Sequence, residues 1–117
     1  KDLLRMYKLK FRFKMTIKKY NELLDEQNGV CAACGKPPFP SFSGALALAV
    51  DHDHNCCQGE RSCGKCIRGL IHSQCNNALG AVFDNPKTLR KLANYLERTK
   101  IDVQERQLKI KERSVKK

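Results

Sequence analysis

Apolar positions in the N-terminal third of the chain follow a helical period. They recur at the spacing of one helix face, at Ile17, Tyr20, Leu23 and Leu24. Thr16 precedes them and is a suitable N-cap. The polar residues 27–29 end the pattern, and Gly29 is suited to the left-handed C′ position. We therefore predict a helix that begins after Thr16 and ends before Gly29.

Two short apolar runs in the middle of the chain predict strands. Residues Ala45 to Val50 fit a buried strand that leads to Asp51, and Ile67 to Ile71 fit a second strand, antiparallel to the first. Asn55 to Lys65 lie between the runs and form a loop rich in cysteine and glycine. Another loop, Lys36 to Gly44, contains three prolines and precedes the first run.

Further helices are predicted on both sides of the strands. Residues 1–14 mix basic and apolar side chains, as in a helix or an arm that folds onto DNA. Ser73 to Ala78 begin a short helix that closes near Gly80. Residues 84–86 cap a later helix, whose apolar face consists of Leu89, Leu92, Ala93 and Leu96. Beyond Arg98 apolar residues are sparse, so we expect a solvated or DNA-ordered helical tail.

This order of elements predicts an α+β fold in three parts: a basic N-terminal arm at 1–14, a central domain at 15–98 and a basic C-terminal tail at 99–117.

With 117 residues, 41% of them hydrophobic and no tryptophan, the core must be small and needs a staple. Seven cysteines argue against a fully paired secreted scaffold. No apolar stretch approaches the roughly 20 residues of a membrane helix, so we expect an intracellular protein.

The net charge of +11 is concentrated at the two ends of the chain. Residues 1–19 carry eight Lys or Arg against one acid, and residues 87–117 carry eleven against four. The middle, residues 20–86, has four basic and seven acidic residues. Basic ends around a nearly neutral centre favour contact with a polyanion, although charge runs also keep small proteins soluble.

Four residues at paired spacing predict a zinc site: Cys31, Cys34, His72 and Cys75. Thiolates and an imidazole suit the tetrahedral preference of zinc, and a site closed by four ligands is structural. It would tie the end of the first helix to the start of the short helix. Alternatively, His72 is exposed and Cys63 or Cys66 is the fourth zinc ligand.

The remaining cysteines lie in or beside the loop between the strands, at Cys56, Cys57, Cys63 and Cys66. They could hold a second zinc ion, although two adjacent cysteines on one ion are geometrically awkward. They could equally be redox-sensitive thiols or form disulfides. The sequence leaves these three interpretations open.

A third group of residues has the chemistry of a hydrolase. Asp51 offers a carboxylate oxygen and Asn76 an amide oxygen, both hard ligands suited to Mg2+. His52 offers an imidazole that can accept a proton near pH 7. Phosphodiester hydrolysis needs such a base and such a cation. Residues 51–54 also fit a surface turn or a transition-metal site, but their place at a strand end favours catalysis.

Two segments carry a more specific pattern: residues 50–54 contain Asp51, His52 and His54, and residues 68–80 contain Arg68, His72, Cys75 and Asn76. Together they resemble the phage recombination endonuclease VII family, which belongs to the HNH, or His-Me finger, nucleases. The segment from Tyr20 to Gly35 also looks like the lead-in of that family. The resemblance extends over about Met15 to Leu96, and His72 stands where the family usually has a cysteine.

The resemblance implies a ββα-metal fold, with two strands and a helix around one catalytic Mg2+ or Mn2+ ion. His52 would be the general base, Asp51 and Asn76 would bind the catalytic ion, and His54 would contact or orient the scissile phosphate. The structural zinc would be held by Cys31, Cys34, His72 and Cys75. We further expect DNA contacts at Arg68, Lys10, Arg12 and Lys14, and the resemblance implies a phage-encoded protein or one of the bacterial cytoplasm.

These patterns favour a metal-dependent endonuclease that acts on double-stranded or branched DNA and leaves 5′-phosphate and 3′-hydroxyl ends. A zinc-ribbon module that binds DNA without cleaving it is the alternative. Asp51, His52 and Asn76 distinguish the two, because a binding module has no need of an oxygen-ligand site beside its zinc. Whether the protein is a monomer or a homodimer stays open.

Overall fold

The computed structural model describes residues 2–40 and 46–115. Its elements are four helices and two strands: α1 (Asp2–Phe13), α2 (Ile17–Glu26), β1 (Ala49–His52), β2 (Ile67–Ile71), α3 (Ser73–Ala81) and α4 (Pro86–Val115). The chain forms two compact units, Lys1–Ala78 and Leu79–Lys117. Mixed helices with a small antiparallel sheet confirm the predicted α+β class, and residues 41–45 of the predicted loop and strand lie outside the described ranges.

Helix α2 is capped at both ends by the residues that precede and follow its apolar face. Thr16 is the N-cap, and its hydroxyl oxygen accepts a hydrogen bond from the Lys19 N–H at 3.1 Å. At the other end Asn28, with φ 58°, occupies the C′ position, and the Gly29 N–H donates to the Leu24 carbonyl at 2.9 Å. The prediction of Gly29 at C′ was therefore wrong by one residue, because Asn also tolerates the left-handed region.

The two strands form an antiparallel hairpin with one irregularity. Val50 pairs with Leu70 and Asp51 with Gly69, but His52 pairs with Ile67. Arg68 is therefore the extra residue of a β-bulge, a feature that redirects side chains near functional sites. The prediction for β2 is confirmed, whereas β1 begins later than predicted and runs on to His52.

The core of the first unit consists of side chains from the hairpin and the helices before it. The buried apolar residues include Leu9, Met15, Tyr20, Leu48, Val50, Leu70 and Ile71. The Tyr20 hydroxyl donates to the Leu48 carbonyl at 2.6 Å, which fixes the chain just before β1 onto α2. Since a buried hydroxyl needs a partner, this bond sets the position of both elements.

The side chain of Gln27 joins the end of α2 to β2. Its amide nitrogen donates to the Leu70 carbonyl at 2.8 Å, and its amide oxygen accepts from the Leu70 N–H at 2.9 Å. The Ala32 N–H also donates to the Leu70 carbonyl, at 3.0 Å. A Cβ at Gly69 would lie 3.2 Å from the Ala32 Cβ, so the close approach of residues 31–34 to β2 favours glycine there.

The second unit is dominated by α4, which continues without a break to Val115. Asn85 caps it, since its side-chain oxygen accepts from the Lys87 N–H at 2.9 Å, and Pro86 is the first helical residue. The predicted helix of residues 86–98 and the predicted tail are thus one element. In the described ranges, no helix combines the length and the apolar character needed to cross a membrane.

Candidate active site and metal centres

The hairpin and α3 bring the predicted hydrolase residues to one end of the sheet. Asp51 and His52 close β1, and each is only 4% exposed. Helix α3 starts directly after β2, so Asn76 lies in its first turn, where its N–H donates to the His72 carbonyl at 2.9 Å. Asp51 and His52 are buried polar residues at strand positions where apolar side chains are usual, which marks them as candidate functional residues.

Asp51 is held by the bulge residue Arg68. The Arg68 Nε donates to Asp51 Oδ2 at 2.8 Å and the Nη2 donates to Oδ1 at 3.0 Å. Such a forked arrangement fixes the carboxylate in the plane of the guanidinium. Sequence reasoning placed Arg68 on DNA and gave no indication of this pair, because the bulge that creates it depends on strand register.

His52 is oriented by the loop that follows β1. Its Nε2 lies 3.1 Å from the Cys57 carbonyl oxygen and 3.1 Å from the Gly59 carbonyl oxygen. Because carbonyl oxygens only accept, Nε2 carries the proton, and in the neutral ring Nδ1 has the free lone pair. The ring centroids of His54 and Phe13 lie 4.4 and 6.2 Å from the ring centroid of His52.

A cavity of about 620 Å3 opens over these residues, and its lining includes Asp51, His52, His54 and Asn76. Helix α1 also lines the cavity and contributes Arg5, Lys8 and Arg12. Of the predicted DNA contacts on the arm, Arg12 lines the cavity, whereas Lys10 and Lys14 do not. Sequence reasoning missed Arg5 and Lys8, although the spacing of positions 5, 8 and 12 is that of one helix face.

The first predicted zinc ligands form one group, here called the knuckle cluster: Cys31, Cys34, His72 and Cys75. Its ligand atoms lie within 4.8 Å of one another, with Cys31 Sγ and Cys75 Sγ 3.9 Å apart. Tetrahedral zinc with Zn–S bonds of about 2.3 Å holds its sulfurs about 3.8 Å apart. The donor set and spacing therefore fit zinc.

His72 has the orientation of a metal ligand. Its Nδ1 lies 3.2 Å from Cys34 Sγ, and its Nε2 donates to the Pro37 carbonyl at 2.9 Å. Metal-bound imidazoles usually donate their other N–H in this way. His72 is only 2% exposed, and the centroid of the Phe39 ring lies 3.8 Å from that of the imidazole. His72 is therefore part of the knuckle cluster and is not exposed to solvent.

Two thiols of the knuckle cluster have pKa values that are shifted in opposite directions. Burial opposes ionisation of Cys31, but backbone N–H groups of Cys34, His72 and Ala33 outweigh it and lower the pKa to about 6. Burial and the neighbouring thiols raise the pKa of Cys75 to about 11. Binding of a metal ion would favour the thiolate form of both cysteines.

The remaining cysteines form a second group, here called the loop cluster: Cys56, Cys57, Cys63 and Cys66. Their sulfurs also lie within 4.8 Å of one another, and Cys56 Sγ is 3.8 Å from Cys63 Sγ and 3.9 Å from Cys57 Sγ. The Lys65 N–H and then the neighbouring thiols lower the pKa of Cys63 to about 7. All seven cysteines are free thiols, so the structure contains no disulfide.

Comparison with known proteins gives one match. The profile of the recombination endonuclease VII family matches residues 6–98, which is most of the chain. The chain belongs to the recombination endonuclease VII family. Membership makes it a nuclease with DNA as its substrate, and it confirms the family resemblance inferred from the sequence. Searches of curated proteins and of solved structures gave no significant match.

Proposed function

We propose that this chain is a metal-dependent HNH endonuclease that hydrolyses DNA phosphodiester bonds to 5′-phosphate and 3′-hydroxyl ends. The observation that carries the proposal is the single cavity lined by Asp51, His52, His54 and Asn76 in a member of a nuclease family. Its free thiols are compatible with action inside a cell, where thiols stay reduced.

His52 is the proposed general base. Nε2 is committed to two carbonyl oxygens, so Nδ1 is the nitrogen that takes a proton from water. The water oxygen then bonds to phosphorus, and the bond from phosphorus to the 3′-oxygen breaks. The departing 3′-oxygen acquires a proton from solvent, and His54, whose ring lies beside that of His52, orients the phosphate.

Asp51 and Asn76 are the proposed ligands of the catalytic cation. Both line the cavity, and their carboxylate and amide oxygens are the donors that Mg2+ or Mn2+ prefers. When bound, the ion supplies charge neutralisation at the phosphate and at the departing oxygen. Asp51 would bind the ion either with the lone pairs that Arg68 does not use, or with the whole carboxylate once the guanidinium has turned towards DNA.

DNA enters the cavity, in this proposal, along the cationic face of α1. Arg5, Lys8 and Arg12 supply positive charge to the cavity that the residues of the catalytic centre also line. Lys10 and Lys14 are proposed to contact the backbone outside the cavity, and Arg68 to contact it once released from Asp51. Cations at such positions neutralise phosphates and make the affinity depend on salt.

The knuckle cluster is proposed to hold a structural zinc. It joins residues 31–34 to the start of α3, which keeps Asn76 facing the end of β1. A site with four protein ligands leaves no open position for water, so this ion has no part in hydrolysis. Its contribution is the free energy of folding.

One observation favours the competing proposal, a zinc-ribbon module that only binds DNA. The pairing of Asp51 with Arg68 already neutralises the carboxylate that a catalytic cation would use. Binding modules need no exchangeable metal, so the two proposals differ in their response to Mg2+ and to EDTA.

The test is cleavage of four substrates in separate reactions: supercoiled plasmid, linear duplex, single strand and four-way junction. Each is incubated with Mg2+, with Mn2+ and with EDTA. We expect cleavage of at least one substrate with Mg2+ or Mn2+, ends that DNA ligase accepts, and no cleavage with EDTA. Binding of all substrates without any cleavage would support the binding module instead.

A further inference from the structure

The segment between the strands, residues 53–66, contains no helix or strand. A connection of this length without secondary structure needs some other constraint to adopt one conformation. It contains all the residues of the loop cluster: Cys56, Cys57, Cys63 and Cys66. It also provides both carbonyl oxygens that hold His52.

We propose that the loop cluster binds a second zinc ion, and that this ion positions the catalytic imidazole of His52. The first half of the proposal concerns a metal site alone. The second half rests on the proposed function of His52. In this scheme the residues of the loop cluster are positioning residues, since they touch neither DNA nor water in the reaction.

The sulfur geometry fits a metal better than the other interpretations of these cysteines. Separations of 3.8 and 3.9 Å match the roughly 3.8 Å edge of a tetrahedral zinc-thiolate site. They are far longer than the roughly 2.0 Å of a disulfide bond. The backbone N–H groups of Cys63 and Lys65 point at Cys57 Sγ and Cys63 Sγ, at 3.3 and 3.4 Å, and would support thiolate charge.

The path from the proposed metal to His52 is short, since it runs through the single residue Cys57 and one hydrogen bond. Cys57 provides a sulfur to the loop cluster and, through its own carbonyl, an acceptor to His52 Nε2. Gly59 follows two residues later with φ 85°, a left-handed conformation that turns its carbonyl to the same nitrogen. Fixing Cys57 therefore fixes both acceptors, and with them the tautomer that leaves Nδ1 free for water.

The same segment also holds α1 against the cavity. The Ser62 N–H donates to the Arg12 carbonyl at 2.6 Å, and Ser62 Oγ lies 3.1 Å from Cys66 Sγ. The guanidinium of Arg61 lies 4.1 Å from the Phe11 ring centroid. Loss of the second zinc is therefore expected to loosen the N-terminal side of the site as well as His52.

The first experiment counts metal and reads the imidazole directly. Zinc is measured in the wild type, Cys63→Ser and Gln58→Ala, where Gln58 is an exposed loop residue without a thiol. We expect about two zinc ions per chain in the wild type and Gln58→Ala, and about one in Cys63→Ser. In 15N-histidine-labelled protein, the His52 signal is assigned by its absence in His52→Ala. In the wild type it should show the Nε2–H tautomer, and in Cys63→Ser it should show a mixture of both tautomers.

Because Cys63→Ser could misfold, the wild type is also titrated with a chelator after exchange into cadmium. The loop cluster includes the exposed Cys56 and Cys63, so its cadmium signal should disappear before that of the knuckle cluster. We expect the His52 tautomer to change with the first cadmium lost, and cleavage to fall roughly ten- to a hundredfold.

A wild type with about one metal ion per chain, unchanged in Cys63→Ser, would overturn the second site. Loss of the second ion with the His52 tautomer and the cleavage rate unchanged would overturn the positioning role. The metal count and the tautomer do not depend on cleavage. If the wild type cleaves no DNA at all, the proposed function fails while these two measurements still decide the inference.

Discussion

Arg68 and Asp51 form a forked ion pair, from Nε to Oδ2 at 2.8 Å and from Nη2 to Oδ1 at 3.0 Å. The side chain of Asp51 is 6% exposed, so solvent reaches little of the carboxylate beside this partner. A divalent cation bound by Asp51 has to share the carboxylate with the guanidinium or displace it. Arg68 is thus expected to act both as a counter-ion before the metal binds and as a competitor of the metal.

Replacing Arg68 by alanine should separate these two roles. In EDTA, Arg68→Ala should lower the free energy of unfolding by about 1–3 kcal/mol, because a buried carboxylate loses its partner. Added Mg2+ should raise the thermal midpoint more in this variant than in the wild type, since nothing competes for Asp51. Arg68→Lys is the control, as it keeps the charge without the fork. An equal response to Mg2+ in all three proteins would contradict the competition.

His52→Ala should reduce cleavage by roughly 10²–10⁴-fold, the usual contribution of a general base. DNA affinity should stay close to that of the wild type, because the cations of α1 are untouched. Single-turnover cleavage and binding in Ca2+ measure the two effects separately, and circular dichroism checks the fold. Cleavage at the wild-type rate would remove His52 from the mechanism.

Asn76 and Asn77 are neighbours in α3 and provide a matched pair. Asn76 lines the cavity, whereas Asn77 is exposed and does not. Asn76→Ala should abolish most cleavage and raise the Mg2+ concentration needed for the rest, while Asn77→Ala should behave like the wild type. Both should keep zinc and salt-sensitive DNA binding. Loss of zinc in Asn76→Ala would instead make Asn76 a structural neighbour of Cys75.

Lys8 and Lys10 test which face of α1 guides DNA. Lys8→Ala should weaken binding, reduce the salt slope by about 1, and also slow cleavage at saturating DNA. Lys10→Ala should affect binding but leave the rate at saturation unchanged, because Lys10 does not line the cavity. Equal effects of the two substitutions on the rate at saturation would show that α1 contributes only general positive charge.

Cys31→Ser should prevent folding of the first unit, since Cys31 is buried and its sulfur is one of the four candidate zinc ligands of the knuckle cluster. Zinc binding in such a site is folding free energy, so its loss should appear as loss of cooperative thermal unfolding. Ala33→Ser, at an exposed position between the ligands, is the control and should keep zinc and fold. A well-folded Cys31→Ser protein would show that zinc does not hold this unit together.

The sequence predicted β2, the α2 cap at Thr16 and the order of elements, because periodicity and capping are local properties. It misplaced β1, since the residues from Leu46 to Leu48 are apolar but pair with no strand among the described residues, whereas His52 pairs with Ile67. Strand limits depend on the partner strand and its register. A linear pattern of apolar residues does not contain that information.

The candidate site was predictable in its residue types and less so in its surroundings. The spacing of the cysteines and His72 predicted the knuckle cluster, but it left the role of Cys56, Cys57, Cys63 and Cys66 open. The fold brings these four sulfurs into one group. The cationic wall formed by α1 and the partner of Asp51 arise from tertiary packing, and no local motif encodes either.

The extra residue in β2 also limits which insertions and deletions the chain can accept at this point. If one codon were deleted at position 68, Ile67 and Gly69 could keep their partners His52 and Asp51 and the hairpin could pair without a bulge, but the guanidinium that pairs with Asp51 would be lost. Insertions and deletions that ordinary surface loops tolerate are expected to be inactivating here. The length of β2 at this point is therefore expected to be as tightly constrained as the identity of the proposed catalytic side chains.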